Sequence, residues 1–102
     1  MRIIIPQSHP NIILVQTAPQ DYVAFEVVDA SQMSRQDEIA WKQQNTSYAA
    51  TDPIGRYFLL KIDEIILSQG MPTDEGKFKA YLSQCMIKAA NFWHDHYIAM
   101  NS

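Results

Sequence analysis

The densest group of titratable side chains in the sequence is His94-Asp95-His96, a composition typical of metal sites and acid/base pairs. His94 and His96 are two residues apart on the predicted helix, so their side chains point about 200° apart around its axis. The two imidazoles therefore cannot bind one ion together. A site would need His9 or a carboxylate from elsewhere in the fold. We therefore expect His96 to be a half-buried structural side chain and expect no metal or cofactor. A small His-dependent enzyme or metal-binding protein is kept as an alternative function.

The remaining nucleophiles lack the neighbours that catalysis requires. Cys85 lies between Leu82 and Ala89 on a predicted apolar helix face, without a base that would activate a thiol. Ser8 and His9 are adjacent in a proline-bounded loop, and no glycine-framed nucleophile turn is present. The chain has three glycines and no phosphate-binding loop. A non-enzymatic protein is therefore predicted.

Composition excludes several further classes. The 102 residues are 47% hydrophobic and 19% charged, which predicts one folded domain over 1–102. The net charge of -3 disfavours direct binding to nucleic acid. One cysteine cannot form an internal disulfide, the prolines interrupt the longest uncharged stretch, and the first residues form no signal-peptide core. We expect a cytoplasmic protein without membrane contact.

The first 29 residues contain three runs rich in Ile and Val that predict strands: Arg2 to Ile5, Asn11 to Gln16 and Tyr22 to Val28. The last two runs are predicted to form a hairpin with a five-residue loop, and the pairing of the first run is left open. Val23, Phe25 and Val27 alternate along the third run, which predicts a sheet with one face toward solvent.

Helices are predicted over 34–45, 53–69 and 74–98. Ser34 is the predicted cap of the first helix, and Thr73 is the predicted cap of the last. The middle helix is framed by Asp52-Pro53 and Gly70-Met71-Pro72. The short turn before residue 74 predicts that the last two helices form an antiparallel hairpin. The predicted fold is α+β, with a small antiparallel N-terminal sheet covered by two or three helices.

Unpaired apolar surface is the strongest functional signal. The last predicted helix is longer than its predicted mate, which leaves the aromatic segment 91–98 without cover. Leu60 and Leu67 fall on the polar side of the predicted middle helix, and Ile87 and Ile98 fall on the polar side of the last one. Three outcomes are open for this surface: burial within the chain, a homodimer contact or a contact with another protein.

These patterns predict a non-enzymatic protein-binding module of inhibitor, immunity or adaptor type, which occupies a partner's surface. The alternative is a self-associating structural or assembly protein of viral or phage accessory type. An acidic N-terminal region favours a partner with a basic surface. The predicted partner-binding residues are Tyr57, Leu60, Leu67, Trp93 and Tyr97, with Asp21, Glu26 and Asp29 steering the encounter.

Overall fold

The computed structural model describes residues 1–29, 31–44 and 58–101. In chain order the elements are β1 (Arg2–Ile4), β2 (Ile12–Ala18), β3 (Asp21–Asp29), α1 (Arg35–Gln44), β4 (Phe58–Ile66) and α2 (Glu75–Asn101). The strands form one antiparallel sheet in the order β1-β2-β3-β4, and α2 packs on one of its faces. The predicted α+β class is confirmed.

The N-terminal strands follow the sequence prediction with one shorter connection. β2 and β3 form the predicted hairpin, but its turn is Pro19-Gln20 and not five residues, because pairing continues to Ala18 and Asp21. The Gln16 side-chain amide donates to the Pro19 carbonyl at 3.0 Å, which supports this turn. β1 pairs with β2, which settles the partner of the first run.

The predicted 53–69 helix is wrong over the described part of that range, because Phe58–Ile66 is strand β4. The predicted helical hairpin is therefore not formed, and residues 53–57 lie outside the described residues. A break in the β4 pairing explains the error. Ile62 pairs with Phe25 and Glu64 pairs with Ala24, which leaves Asp63 as an extra residue. The inward positions are consequently spaced by two, two and three residues, and this mixture imitates a helical period.

One core lies between α2 and the sheet. Its buried side chains come from β2, β3, β4 and α2, and they are Ile13, Val15, Val23, Phe25, Val27, Leu60, Leu82, Cys85 and Ala89. Antiparallel pairing aligns these strand residues on one face, because cross-strand partners such as Val27 and Leu60 point the same way. α2 closes this face along a line of small and apolar residues.

The second sheet face is less open to solvent than its alternating pattern predicts. Ala24 is buried on this face, and Leu59, which lies opposite Val28, is fully buried. Glu26 is only partly exposed. The predicted solvent-facing side is therefore corrected to a mixed surface with buried apolar positions.

Both helices begin at side-chain caps. The Ser34 hydroxyl accepts from the Asp37 backbone N–H at 3.1 Å, as predicted for the 34–45 helix. The cap of α2 is Asp74 and not the predicted Thr73, because the Asp74 carboxylate accepts from the Lys77 N–H at 3.1 Å. Gly70 adopts a φ of 77°, so the predicted helix stop is a left-handed turn residue after β4.

Candidate functional site

The C-terminal half of α2 carries an aromatic cluster against the start of β4. Phe58 contacts the Trp93 ring edge-to-face with centroids 5.8 Å apart, and it contacts the Tyr97 ring at 4.8 Å. His96 lies 5.5 Å from Trp93. The cluster exists because β4 brings Phe58 beside two rings four residues apart on α2. These rings form the edge of the core.

Trp93 combines packing with an unpaired polar atom. Its ring is partly buried against the core, and its Nε1 atom is buried without a hydrogen-bond acceptor. An indole N–H without an acceptor carries a desolvation cost of about 1 to 3 kcal/mol. Trp93 stays a predicted partner anchor, but its partial burial against the core leaves only part of the side chain open to a partner. Tyr97 retains 37% exposure.

The two leucines predicted to form an exposed pair do not share a surface. Leu60 is fully buried between the sheet and α2, so its assignment as a partner-binding residue is wrong. The reason is the strand, which turns Leu60 toward the core with Val27. Leu67 follows the end of β4 and is partly buried. Tyr57 lies outside the described residues.

The three predicted steering carboxylates do not form one acidic patch. Asp21 and Asp29 begin and end the nine-residue strand β3, which separates them by about 26 Å. Asp21 accepts from the Ser68 backbone N–H at 2.8 Å, and Asp29 accepts from the Ser31 backbone N–H at 2.8 Å. Asp29 therefore organises a local turn, whereas Asp21 connects the start of β3 to the turn after β4.

These hydrogen bonds also set the titration of both carboxyls. Bonds from the Ser68 backbone and side chain lower the pKa of Asp21, and bonds from Ser31 lower the pKa of Asp29. Glu26 faces Lys61 across the strands, with its Oε2 atom 3.8 Å from the Lys61 Nζ atom. Hydrogen bonding and pairing within the chain thus account for the positions of all three carboxylates.

The histidines are distributed as helical geometry predicts. His94 is exposed, with its Nδ1 atom 3.8 Å from the Asp95 Oδ1 atom, whereas His96 lies half-buried beside Trp93. His9 is exposed in the turn between β1 and β2. Among residues 1–29, 31–44 and 58–101, no three His, Cys, Asp or Glu side chains come close enough to hold a metal ion.

Cys85 lies in the core beside a polar pair. The Tyr81 hydroxyl and the Thr17 hydroxyl are 2.9 Å apart, which connects α2 to the end of β2. Burial raises the pKa of the Cys85 thiol and also raises the pKa of Tyr81. A buried thiol held in its neutral form is a poor nucleophile, in keeping with the structural role predicted for Cys85.

Two strongly exposed aliphatic side chains lie on the outer face of α2, whereas the still more exposed Met100 lies off this face near the end of the helix. Ile87 is 60% exposed and Ile98 is 51% exposed. At 3.6 residues per turn, both lie about 180° from the buried line that contains Cys85 and Ala89. Asn91 and His94 are exposed between them on the same line. We name these four residues, Ile87, Asn91, His94 and Ile98, the outward stripe.

The outward stripe was only partly recognisable from sequence. The helical period places Ile87 and Ile98 on the polar side, but Leu60 and Leu67 gave the same signal and obscured it. Because β4 is a strand, Leu60 does not lie on the polar side of a helix. Only Ile87 and Ile98 on α2 remain as apolar residues on the polar side of a helix. The eleven-residue spacing of the two isoleucines, which equals three helical turns, was the available clue.

No helix in the described parts of the chain is both long and apolar enough to cross a membrane. Comparison with known proteins gives no match to a family model, to a curated protein or to a solved structure.

Proposed function

We propose that this chain is a non-enzymatic protein-binding module that acts by covering the surface of a partner protein, and that it binds through the outward stripe of α2. The observation that carries the proposal is the exposure of Ile87 and Ile98 in one line on the face opposite the core. Inhibitors, immunity proteins and adaptors all work by such occupation of a surface.

The arrangement matters more than the exposure of either residue. Single exposed apolar side chains are common on protein surfaces. Here two branched aliphatic side chains lie on the same line of one helix, about 16 Å apart, with polar residues between them and charged residues along one flank. Apolar anchors surrounded by polar groups are typical of surfaces that bind another protein.

Rigidity of the supporting helix favours the same function. α2 extends over 27 residues and is fixed to the sheet by its buried inner line. A partner that binds the outward stripe would therefore meet side chains on a formed helix and would lose little affinity to ordering of the backbone.

Site-specific photo-crosslinking tests the proposal. A benzophenone amino acid is placed at position 87 or at position 98, and a matched variant carries it at position 39 on α1, where Ile39 is 47% exposed. Irradiation in the native host is expected to give a discrete protein adduct from positions 87 and 98 and none from position 39. Absence of an adduct at both stripe positions would contradict the proposal, as would the same adducts from position 39.

A further inference from the structure

We infer that the protein bound by the outward stripe is a second copy of this chain, with the two α2 helices packed antiparallel about a twofold axis. This inference rests on the proposed function and names the partner of the same surface. It follows from the order of side chains along the stripe, from the charges beside it and from the exposure of both.

The stripe is symmetric about the point between Phe92 and Trp93. Ile87 and Ile98 lie equally far from this point, and Asn91 and His94 lie equally far from it on either side. An antiparallel pair centred there places Ile87 of one copy against Ile98 of the other, and it does so twice. A twofold interface requires this kind of self-complementary surface.

The centre of the stripe is polar and complementary. The same pairing places Asn91 opposite His94 of the second copy, where an amide carbonyl accepts from an imidazole N–H or an imidazole nitrogen accepts from an amide N–H. Both side chains are exposed in the isolated chain. A polar pair between apolar contacts also specifies register and orientation, as polar residues do in coiled coils.

The charges beside the stripe match in the antiparallel orientation. Lys88 and Asp95 lie on one flank of the stripe, seven residues apart and both exposed. In an antiparallel pair equivalent flanks face each other, so Lys88 of each copy faces Asp95 of the other. A parallel pair would instead bring Lys88 toward Ser83 and Asp95 toward Ala90 of the second copy. Charge complementarity therefore selects the antiparallel arrangement.

The opposite flank matches by size. Ala90, which is partly buried and also packs against the core, and Tyr97 lie there, and the antiparallel register brings the small Ala90 toward the large Tyr97 of the second copy. Tyr97 is 37% exposed, so part of its ring remains available for an intermolecular contact. The apolar and polar pairs of the stripe, the charged pair on one flank and the size match on the other are therefore all compatible with the same antiparallel register.

We expect a weak dimer. A contact confined to one helix from each copy belongs with small interfaces, below about 1,200 Å² of total buried area. The apolar anchors number two per copy, and the charged pairs are exposed at the rim, where each contributes little. Association at micromolar to tens of micromolar protein is therefore expected.

Sedimentation velocity over a concentration series tests the association. The full chain is expected to shift from monomer to dimer, and Ile87→Ser is expected to weaken the dimer by at least about a hundredfold, because two apolar contacts are lost. Ile39→Ser is the matched control on α1 and leaves the dimer unchanged. A monomer throughout the series overturns the inference, as does equal weakening by both variants.

Introduced thiols test the register. In the inferred pair the positions 87 of the two copies are about 16 Å apart along the axis, beyond disulfide reach. An oxidised mixture of I87C and I98C is therefore expected to give a cross-linked dimer, whereas I87C alone gives none. The wild-type chain, whose Cys85 is fully buried, is the control for background oxidation. Efficient cross-linking of I87C alone would overturn the antiparallel register.

Charge reversal supplies a rescue experiment. Lys88→Asp is expected to weaken the dimer about tenfold, because it places like charges across the flank twice. Lys88→Asp combined with Asp95→Lys is expected to restore the affinity to within about threefold of wild type. Failure of the double variant to recover would overturn the assigned contact between these residues.

The photo-crosslinking result separates this inference from the proposed function. Adducts at positions 87 and 98 with twice the mass of the chain support the second-copy inference and the outward stripe as a binding surface, and they favour the self-associating alternative over an inhibitor or adaptor of a different protein. Adducts with a different protein, together with a chain that remains monomeric, overturn the second-copy inference and leave the proposed function in place. Absence of every adduct overturns both.

Discussion

The inner and outer faces of α2 belong to one helix, but the inner face is buried against the sheet and the outer face is exposed to solvent. The inner face presents Leu82, Cys85 and Ala89, which are buried against the sheet. The outer face presents Ile87 and Ile98, which remain more than half exposed. Cys85 and Ala89 are small and allow the helix to approach the strands closely, and larger side chains such as Phe78 and Trp93 pack against the core beside them. The outer isoleucines have no covering element within the described chain. The two faces therefore differ in what covers them and not in the size of their residues.

The border between the two faces lies at Trp93 and Tyr97. Trp93 packs against the core and Phe58, whereas Tyr97 contacts the same phenylalanine and keeps part of its ring in solvent. Trp93 and Tyr97, one turn apart on α2, therefore mark the line along which the buried inner face meets the exposed outer face. Substitutions on either side of this border should divide into those that change folding and those that change association.

The largest effect is expected on the inner side, at Leu60. Leu60→Ala should lower the free energy of unfolding by about 4 kcal/mol, because it opens a cavity between β4 and α2. Urea unfolding followed by circular dichroism measures this loss. Leu67→Ala is the matched control, and its partly buried side chain should cost less than half as much. Equal losses at both positions would contradict the strand assignment of β4.

The second effect tests the border residue. Trp93→Ala should cost about 3 kcal/mol through lost packing. Trp93→Phe should stay within about 1 kcal/mol of wild type, because an aromatic ring still meets Phe58 and the unpaired Nε1 donor is removed. Far-ultraviolet circular dichroism is the readout, since both variants alter tryptophan fluorescence. A Phe variant as unstable as the Ala variant would show that Nε1 makes a hydrogen bond in the folded protein.

The same contrast between faces shows how far the sequence alone determines this fold. The strands β1, β2 and β3 and the helices α1 and α2 follow from alternation, helical period and capping residues, which act locally. α1 begins directly after the predicted cap Ser34, and α2 was predicted as the long closing helix. Local rules suffice where each residue's environment is set by its own element.

The β4 segment shows where local rules fail. A bulge at Asp63 changes the spacing of inward residues, so Phe58, Ile62 and Ile65 fit a helical period although they lie on a strand. Pairing with β3 decides the conformation, and pairing is a long-range interaction that periodicity does not contain. The helix prediction also misplaced a candidate site residue, because it put Leu60 on an exposed face, whereas Leu60 is buried.

A smaller, pH-dependent effect is expected at the turn between β4 and α2. Hydrogen bonds from Ser68 lower the pKa of Asp21 in the folded chain. A lowered folded pKa contributes stability that is complete above the unfolded pKa of about 3.9 and is lost as the pH falls through the folded value. The wild-type chain should therefore lose stability on acidification that Asp21→Asn does not lose, since an amide oxygen still accepts from Ser68 without titrating.

Urea midpoints at about pH 5 and about pH 2.5 measure this difference. Identical pH dependence of wild type and Asp21→Asn would contradict a lowered pKa at Asp21. The variant also sharpens the comparison of faces, because Asp21 acts on the turn that leads into α2 and does not lie on the outward stripe. Its dimer affinity at neutral pH should equal that of wild type.

The smallest effect on folding is expected at the outer face itself. Ile87→Ala should change the free energy of unfolding by no more than about 0.5 kcal/mol at low protein concentration, because its side chain is 60% exposed. At higher concentration wild type should gain apparent stability, since association favours the folded state by mass action, whereas the variant gains less. The gap between the two unfolding curves should therefore widen with concentration. A constant gap would mean that Ile87 acts within one chain, and the contrast between the two faces of α2 would then have no role in association.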